Sequence, residues 1–169
     1  MDEADVRRAL ADPVAQRLIR TRPVTRLAYT GRDGGPRVIP IGYTWTGSAF
    51  VVCTSTNSAK VPALRADPRV ALTIDTDDFP PNVLLVRGTA SIEIVDGIPE
   101  EFLDTSRSHI DAEQHAAWEA GVRSLYDQMA RIVITPTWAK VLDFDTRLPS
   151  AVEELIRQKE SPQPESLPR

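Results

Sequence analysis

The stretch Thr54-Ser55-Thr56-Asn57-Ser58-Ala59-Lys60 gathers hydroxyls and one lysine directly ahead of a helix-forming run, Ala59 to Asp67. Hydroxyls at a helix start, where backbone N–H groups lack partners and the dipole is positive, favour an anion, and Lys60 adds a full charge in the first turn. A lysine there opposes the helix dipole, so stability alone favours Asp or Glu. The residues by themselves permit two readings: a phosphate cradle built from the hydroxyls of Thr54, Ser55, Thr56 and Ser58 with Lys60, or a helix capped by Ser58 with a solvated lysine. Arg37, opening the preceding strand, could bring a second cation to the same phosphate.

Other side-chain chemistry is sparse. No GxSxG, Walker, GxGxxG or HExxH pattern occurs. His109 and His115 fall about 240° apart on a straight helix, which favours surface histidines over a shared metal. Asp75, Asp77 and Asp78 lack the glycine and terminal glutamate of a calcium loop and read as a solvated turn. Cys53 follows Ala-Phe-Val-Val and reads as a buried small hydrophobe. Trp45, Trp118 and Trp138 read first as packing residues, and so do Tyr29 and Tyr43, the two possible proton donors. No catalytic side chain and no metal ligand set emerges.

The elements that must position the hydroxyl-lysine corner follow from patterning. Val6, Leu10, Val14 and Leu18 mark one helix face, and Asp12-Pro13 reads as an N-cap and first helical position, so two short helices meet there. Three β-rich runs separated by Gly, Asp and Ser, Val24–Thr30, Pro36–Trp45 and Ala49–Thr54, read as an antiparallel meander. Pro68–Asp75 and Asn82–Val95 follow, the latter with Leu84, Val86, Gly88, Ala90, Ile92 and Ile94 on one face and Arg87, Thr89, Ser91 and Glu93 on the other. Helical period returns between 98 and 127, with Asp111 and Gln114 resembling a capping box and Trp118, Val122, Leu125, Tyr126 and Met129 in one stripe. The last run, 131–144, is interrupted by Pro136, which belongs at an edge or bulge. A short helix is expected after Pro149, then a disordered tail rich in proline and polar residues.

Six β runs with helices only at the ends and in two connections argue for a mainly β fold, an antiparallel split or closed β-barrel with flanking helices. The expected organisation is an N-terminal helical segment (1–22), a barrel (23–148) with a helical insertion (98–127), and a C-terminal helix and tail (149–169). With 169 residues, 41% of them apolar, the chain is near the size of one domain. The net charge of −4, with basic residues scattered, argues against nucleic acid as a partner. No run approaches the length of a membrane helix. One cysteine and no visible secretory signal suit a cytoplasmic location.

The run from Arg37 to Leu72 resembles the flavin-binding core of the pyridoxamine 5′-phosphate oxidase-like split β-barrel superfamily. The likeness rests on Arg37 opening an apolar strand, on the T-x-x-x-S-x-K segment of Thr54, Ser58 and Lys60, and on Ala66 to Leu72; with Val86–Ile92 it extends over about residues 23–144. The resemblance implies a homodimer with FMN, or the deazaflavin F420, between subunits. The phosphate would be held by Arg37, Thr54, Ser58 and Lys60, and the backbone of Val38, Ile39, Pro40 and Ile41 would lie along the ring. Ala59 stands where family members often carry arginine, Val83 falls about where the vitamin B6 oxidases carry a flavin-contacting glutamine, and Arg147-Leu148-Pro149 is not their full C-terminal substrate motif. The implied activity is hydride transfer to or from a small conjugated or heteroaromatic substrate, the alternative being a flavin or haem carrier without turnover. An F420 tail would call for further basic residues, for which Arg65, Arg69 and Arg87 are candidates.

Overall fold

A computed structural model describes residues 1–107, 110–144 and 150–160. His109, the 147–149 motif and the tail beyond residue 160 lie outside the described residues. Two helices, α1 (Glu3–Leu10) and α2 (Pro13–Thr21), open the chain. The Asp2 and Asp12 carboxylates accept the N–H groups of Asp5 and Val14, and Pro13 fills the first position of α2, so both starts are capped as their sequences dictate.

Seven antiparallel strands follow: β1 (Val24–Thr30), β2 (Pro36–Gly42), β3 (Thr44–Trp45), β4 (Phe50–Ser55), β5 (Arg69–Asp75), β6 (Asn82–Asp96) and β7 (Gln128–Asp143). Their order in the sheet is β2-β1-β5-β6-β7-β4-β3, which leaves β2 and β3 as free edges and the sheet unclosed. The split-barrel expectation holds, with one strand more than the six runs read from the sequence. The run 36–45 divides at Tyr43, whose ring leaves the ladder to pack on Phe50 at 5.4 Å and whose hydroxyl donates to the Ile19 carbonyl at 3.2 Å.

The long strands β6 and β7 are shared by two half-sheets. The first part of β6 pairs with β5, and the first part of β7 pairs with β4. The register shifts where Gly88 faces Pro136 and Arg87 faces Trp138, so Thr137 is the extra residue of a bulge. That is the place Pro136 calls for, because it has no N–H to give a ladder. Inside lie Leu18, Leu27, Phe50, Leu72, Ile74, Leu84, Ile132 and Ile134, all fully buried.

Helix α3 (Lys60–Ala66) lies against β1 and β6 and buries Val61, Ala63 and Leu64. It ends at Asp67, whose extended backbone (φ −135°, ψ 102°) is what a residue before Pro68 requires. A second apolar cluster sits on the other face of β4 and β7: Ile98, Leu103 and Met129 are buried beneath α4 (Glu100–Arg107) and α5 (His115–Leu125). Trp118, Val122 and Tyr126 of the expected stripe pack there, but Leu125 is 70% exposed, because α5 ends at it and the chain turns away. Nor does Asp111 cap as the capping-box pattern implied; it precedes a 3-10 turn without a side-chain bond. A last helix, α6, spans Ser150–Glu160. No helix among the described residues is long and apolar enough to cross a membrane.

Candidate cofactor site

Strand β4 alternates Phe50 and Val52 into the core, so Thr54, next on that face, brings its hydroxyl to the strand's inner end. The chain then turns through Asn57, with the Ser58 N–H on the Ser55 carbonyl at 3.1 Å, and enters α3. The Lys60 ammonium donates to Ser58 Oγ at 2.7 Å and to Thr54 Oγ1 at 3.1 Å. The structure therefore brings Thr54, Ser58 and Lys60 together. It also corrects the capping assignment. Ala59, in αR conformation, is the N-cap of α3 with no side-chain bond, while the Ser58 hydroxyl accepts from Lys60 and only its carbonyl serves the helix, through Val61 N–H at 2.9 Å. Ala59 itself is exposed.

Lys60 is half-buried, and desolvation holds its pKa below the ordinary 10.5. Other cations of the barrel differ in their company. Arg37 is paired with Asp33 at 2.6 Å, Arg69 with Asp67 at 2.7 Å and Arg131 with Glu101 at 2.6 Å. Among the described residues no carboxylate pairs with Lys60. A partly desolvated ammonium held by two hydroxyls and lacking a countercharge is a place where an anion gains on arrival.

Arg37 stands elsewhere on β2. It belongs by alternation to the face of Ile39 and Ile41, which pack against the core, but its guanidinium is engaged by the Asp33 carboxylate and the Pro36 carbonyl, and no bond joins it to Thr54, Ser58 or Lys60. The contact with Arg37 is the main reason the Asp33 carboxyl lies below its usual range.

The edge strand has a defined hydrogen-bond phase. Gly31 N–H reaches the Gly35 carbonyl at 2.8 Å and Tyr43 N–H reaches the Pro23 carbonyl at 3.3 Å, one at each end of the β1–β2 ladder. Both belong to odd-numbered β2-side positions, so Arg37, Ile39 and Ile41 bond to β1, whereas positions 36, 38, 40 and 42 aim their backbone groups at the free edge. Pro36 and Pro40 have no N–H, which is why they are tolerated in this phase. Between them Val38 is the single donor on that edge, its side chain 65% exposed. Gly42, at the far end, is covered by α4: a Cβ there would meet Thr105 Cγ2 at 2.6 Å.

Other side chains weighed from the sequence have structural roles. Burial raises the Tyr43 hydroxyl far above its ordinary range, and its proton is committed to the Ile19 carbonyl inside the core. Burial, reinforced by Glu101 and opposed by Arg131, pushes the Cys53 thiol up to about 12. Asp75 pairs with Arg26, and Asp77 and Asp78 approach Arg22 at 3.3 and 4.0 Å. Trp45 packs on Phe50 and Trp118 on Phe102. His115 Nε2 lies 2.7 Å from the Ile110 carbonyl and 3.1 Å from that of Arg107.

One arrangement was hidden from sequence reasoning. Arg87 lies over the Trp138 ring, 4.6 Å from its centroid. The alternation of β6 put Arg87 on the outer face, but pairing it with Trp138 needs the register across the bulge, which has no local signature.

Among solved structures the fold recurs. An F420 reductase is 23% identical, over 74% of this chain and 94% of its own, with a TM-score of 0.57. The haem storage protein HutZ from Vibrio cholerae is 18% identical over 77% and 93% (TM-score 0.56), and General Stress Protein 26 from Bacillus anthracis is 17% identical over 77% and 92% (TM-score 0.56). A search of the curated proteins finds no match. The family profile described as pyridoxamine 5′-phosphate oxidase matches residues 11–141, which take in both free-edge β2 and the hydroxyl-lysine corner. The chain belongs to that family.

Proposed function

We propose that the protein is a flavin-dependent oxidoreductase that binds FMN, or alternatively F420, and acts on a small conjugated or heteroaromatic substrate. The observation that carries this reading is the half-buried Lys60, held by Thr54 and Ser58 and without a carboxylate partner among the described residues. These residues fit a phosphate: one cation and two hydroxyls, each able to turn a bond outward. Arg37 joins them by exchanging Asp33 for the phosphate, and Ala59 leaves the corner one cation lighter than in many relatives.

The backbone of β2 would hold the ring, Val38 offering one N–H and its own carbonyl, with the carbonyls of Pro36 and Pro40 beside it. Ile39 and Ile41 support this strand from the core side. When bound, the cofactor supplies the hydride chemistry, while the chain binds, orients and shields it. A second copy closes over the exposed edge in a homodimer, covering Val38 and Val24. Arg69 and Arg87 stand where an acidic cofactor tail could be met; Arg65, exposed on α3, is outside that cleft.

Titration of the purified protein with FMN and with F420, followed by cofactor fluorescence, tests the reading. Lys60→Ala is expected to weaken the preferred cofactor by about 1.5–3 kcal/mol, the range for a charge-assisted hydrogen bond. Equal affinity in the two proteins, or no binding of either cofactor, rejects it. Reduction of the bound cofactor by NAD(P)H, or its oxidation by an added acceptor, separates an enzyme from a carrier.

Val38→Pro removes the lone edge donor while leaving the β1 ladder intact. It is expected to weaken cofactor binding by about 0.5–1.5 kcal/mol with an unchanged Tm. Ile39→Pro, which takes an N–H from the ladder itself, is expected to lower Tm. Equal thermal losses in both would refute the assigned phase of β2.

A further inference from the structure

Five residues, Val38, Ala28, Ala71, Arg87 and Trp138, are paired in one continuous cross-strand row over β2, β1, β5, β6 and β7. They face away from the core, since their neighbours Leu27, Leu72 and Val86 are buried inside it. The two alanines occupy the middle and larger side chains the ends, and Val38, Ala28, Ala71 and Arg87 of this row line an open trough of about 560 Å³, with Trp138 beyond its rim behind Arg87. Thr30 and Arg69 line it on one side and Arg37 closes a corner.

The charges around this trough are unequal. Arg37 and Arg69 are satisfied by Asp33 and by a forked pair with Asp67. Arg87 has no carboxylate partner among the described residues; its guanidinium is instead held over Trp138. A planar cation fixed beside an apolar floor, with its donors open, matches a molecule with a flat apolar body and a terminal carboxylate.

We infer that this trough is a binding site for a planar, carboxylate-bearing small molecule, with Arg87 receiving the carboxylate and Ala28 and Ala71 underlying the ring system. The carboxylate can come from a substrate or from the acidic tail of a cofactor, and the two sources are separable. The trough rests on the cofactor reading in that it shares Arg37 and Val38 with it, but Lys60, Thr54 and Ser58 lie outside it, so loss of cofactor binding in Lys60→Ala and loss of the acid preference in Arg87→Ala separate the failure of the one reading from that of the other.

The test is calorimetric titration of the full chain with 2-naphthoate and with its neutral analogue 2-naphthamide, together with tryptophan fluorescence to register Trp138. The acid is expected to bind at least about tenfold more tightly than the amide, and Arg87→Ala to remove that preference. Arg87→Lys retains only part of it, because an ammonium lacks the planar fork. Ala71→Leu, which fills the floor, is expected to abolish binding of both compounds, and Arg65→Ala, outside the trough, to change neither. Repeating the titration on protein saturated with FMN or with F420 assigns the source: displacement by F420 alone marks a tail site, and retention in both marks a substrate site. Equal binding of acid and amide, or an unchanged preference in a folded Arg87→Ala protein, overturns the inference.

Discussion

Leu64→Ala is expected to destabilise the protein by about 2–5 kcal/mol and to loosen the hydroxyl-lysine corner at the same time. Leu64 is 1% exposed and lies in the main core, where α3 packs against β1 and β6. The helix has only seven residues, too few to persist without its packed face. Val61, Ala63 and Leu64 therefore fix where its first residue, Lys60, stands relative to Thr54. Urea unfolding should show a lower midpoint with the same slope, and cofactor affinity should fall although the substituted side chain is on the opposite side of the helix from solvent. An unchanged midpoint would show that α3 is not anchored through this residue. Pro62→Ala, on the exposed face of the same turn, serves as the comparison.

Gly88→Val is expected to cost about 3 kcal/mol, the upper part of the range for overpacking. A Cβ on Gly88 would lie 2.6 Å from the Thr135 carbonyl oxygen and 3.0 Å from Ile134 Cγ2. The first of these is backbone, held in the β6–β7 ladder, so relief requires the bulge to open. Because Gly88 also borders the trough, the shift should reach Arg87 and Trp138. Thermal unfolding with tryptophan emission reports both effects; a Gly88→Val protein with the parent Tm and spectrum would mean that the two strands can separate there at little cost. Gly88 is thus glycine because another strand passes too close, not because its backbone dihedral demands it.

These two positions show where the sequence was informative and where it was not. The span of β1 and the Asp12-Pro13 start of α2 were legible because alternation and capping are local. Pro136 announced its bulge because a missing N–H has one kind of place in a sheet. The grouping of Thr54, Ser58 and Lys60 was legible for the same reason, since these residues span a single turn. Ser58 was misread as a cap because a hydroxyl next to a lysine has two competing partners, and the ammonium took it. The division of β2 from β3 was invisible, since it follows from Tyr43 reaching Ile19 in another element. Arg37 gave no sign of its engagement with Asp33, which depends on the turn between β1 and β2. The trough was least legible: the row beside it joins residues as far apart in sequence as Ala28 and Trp138, and only the register aligns them.

The prolines that bracket Val38 have a consequence for what this edge rejects. An incoming peptide strand needs a succession of rungs, and here it meets a donor at one position with none on either side until Gly42, at the far end of the strand. A small heterocycle needs only the one rung. The barrel can thus leave a ring-sized opening uncovered without offering a template for sheet extension or aggregation.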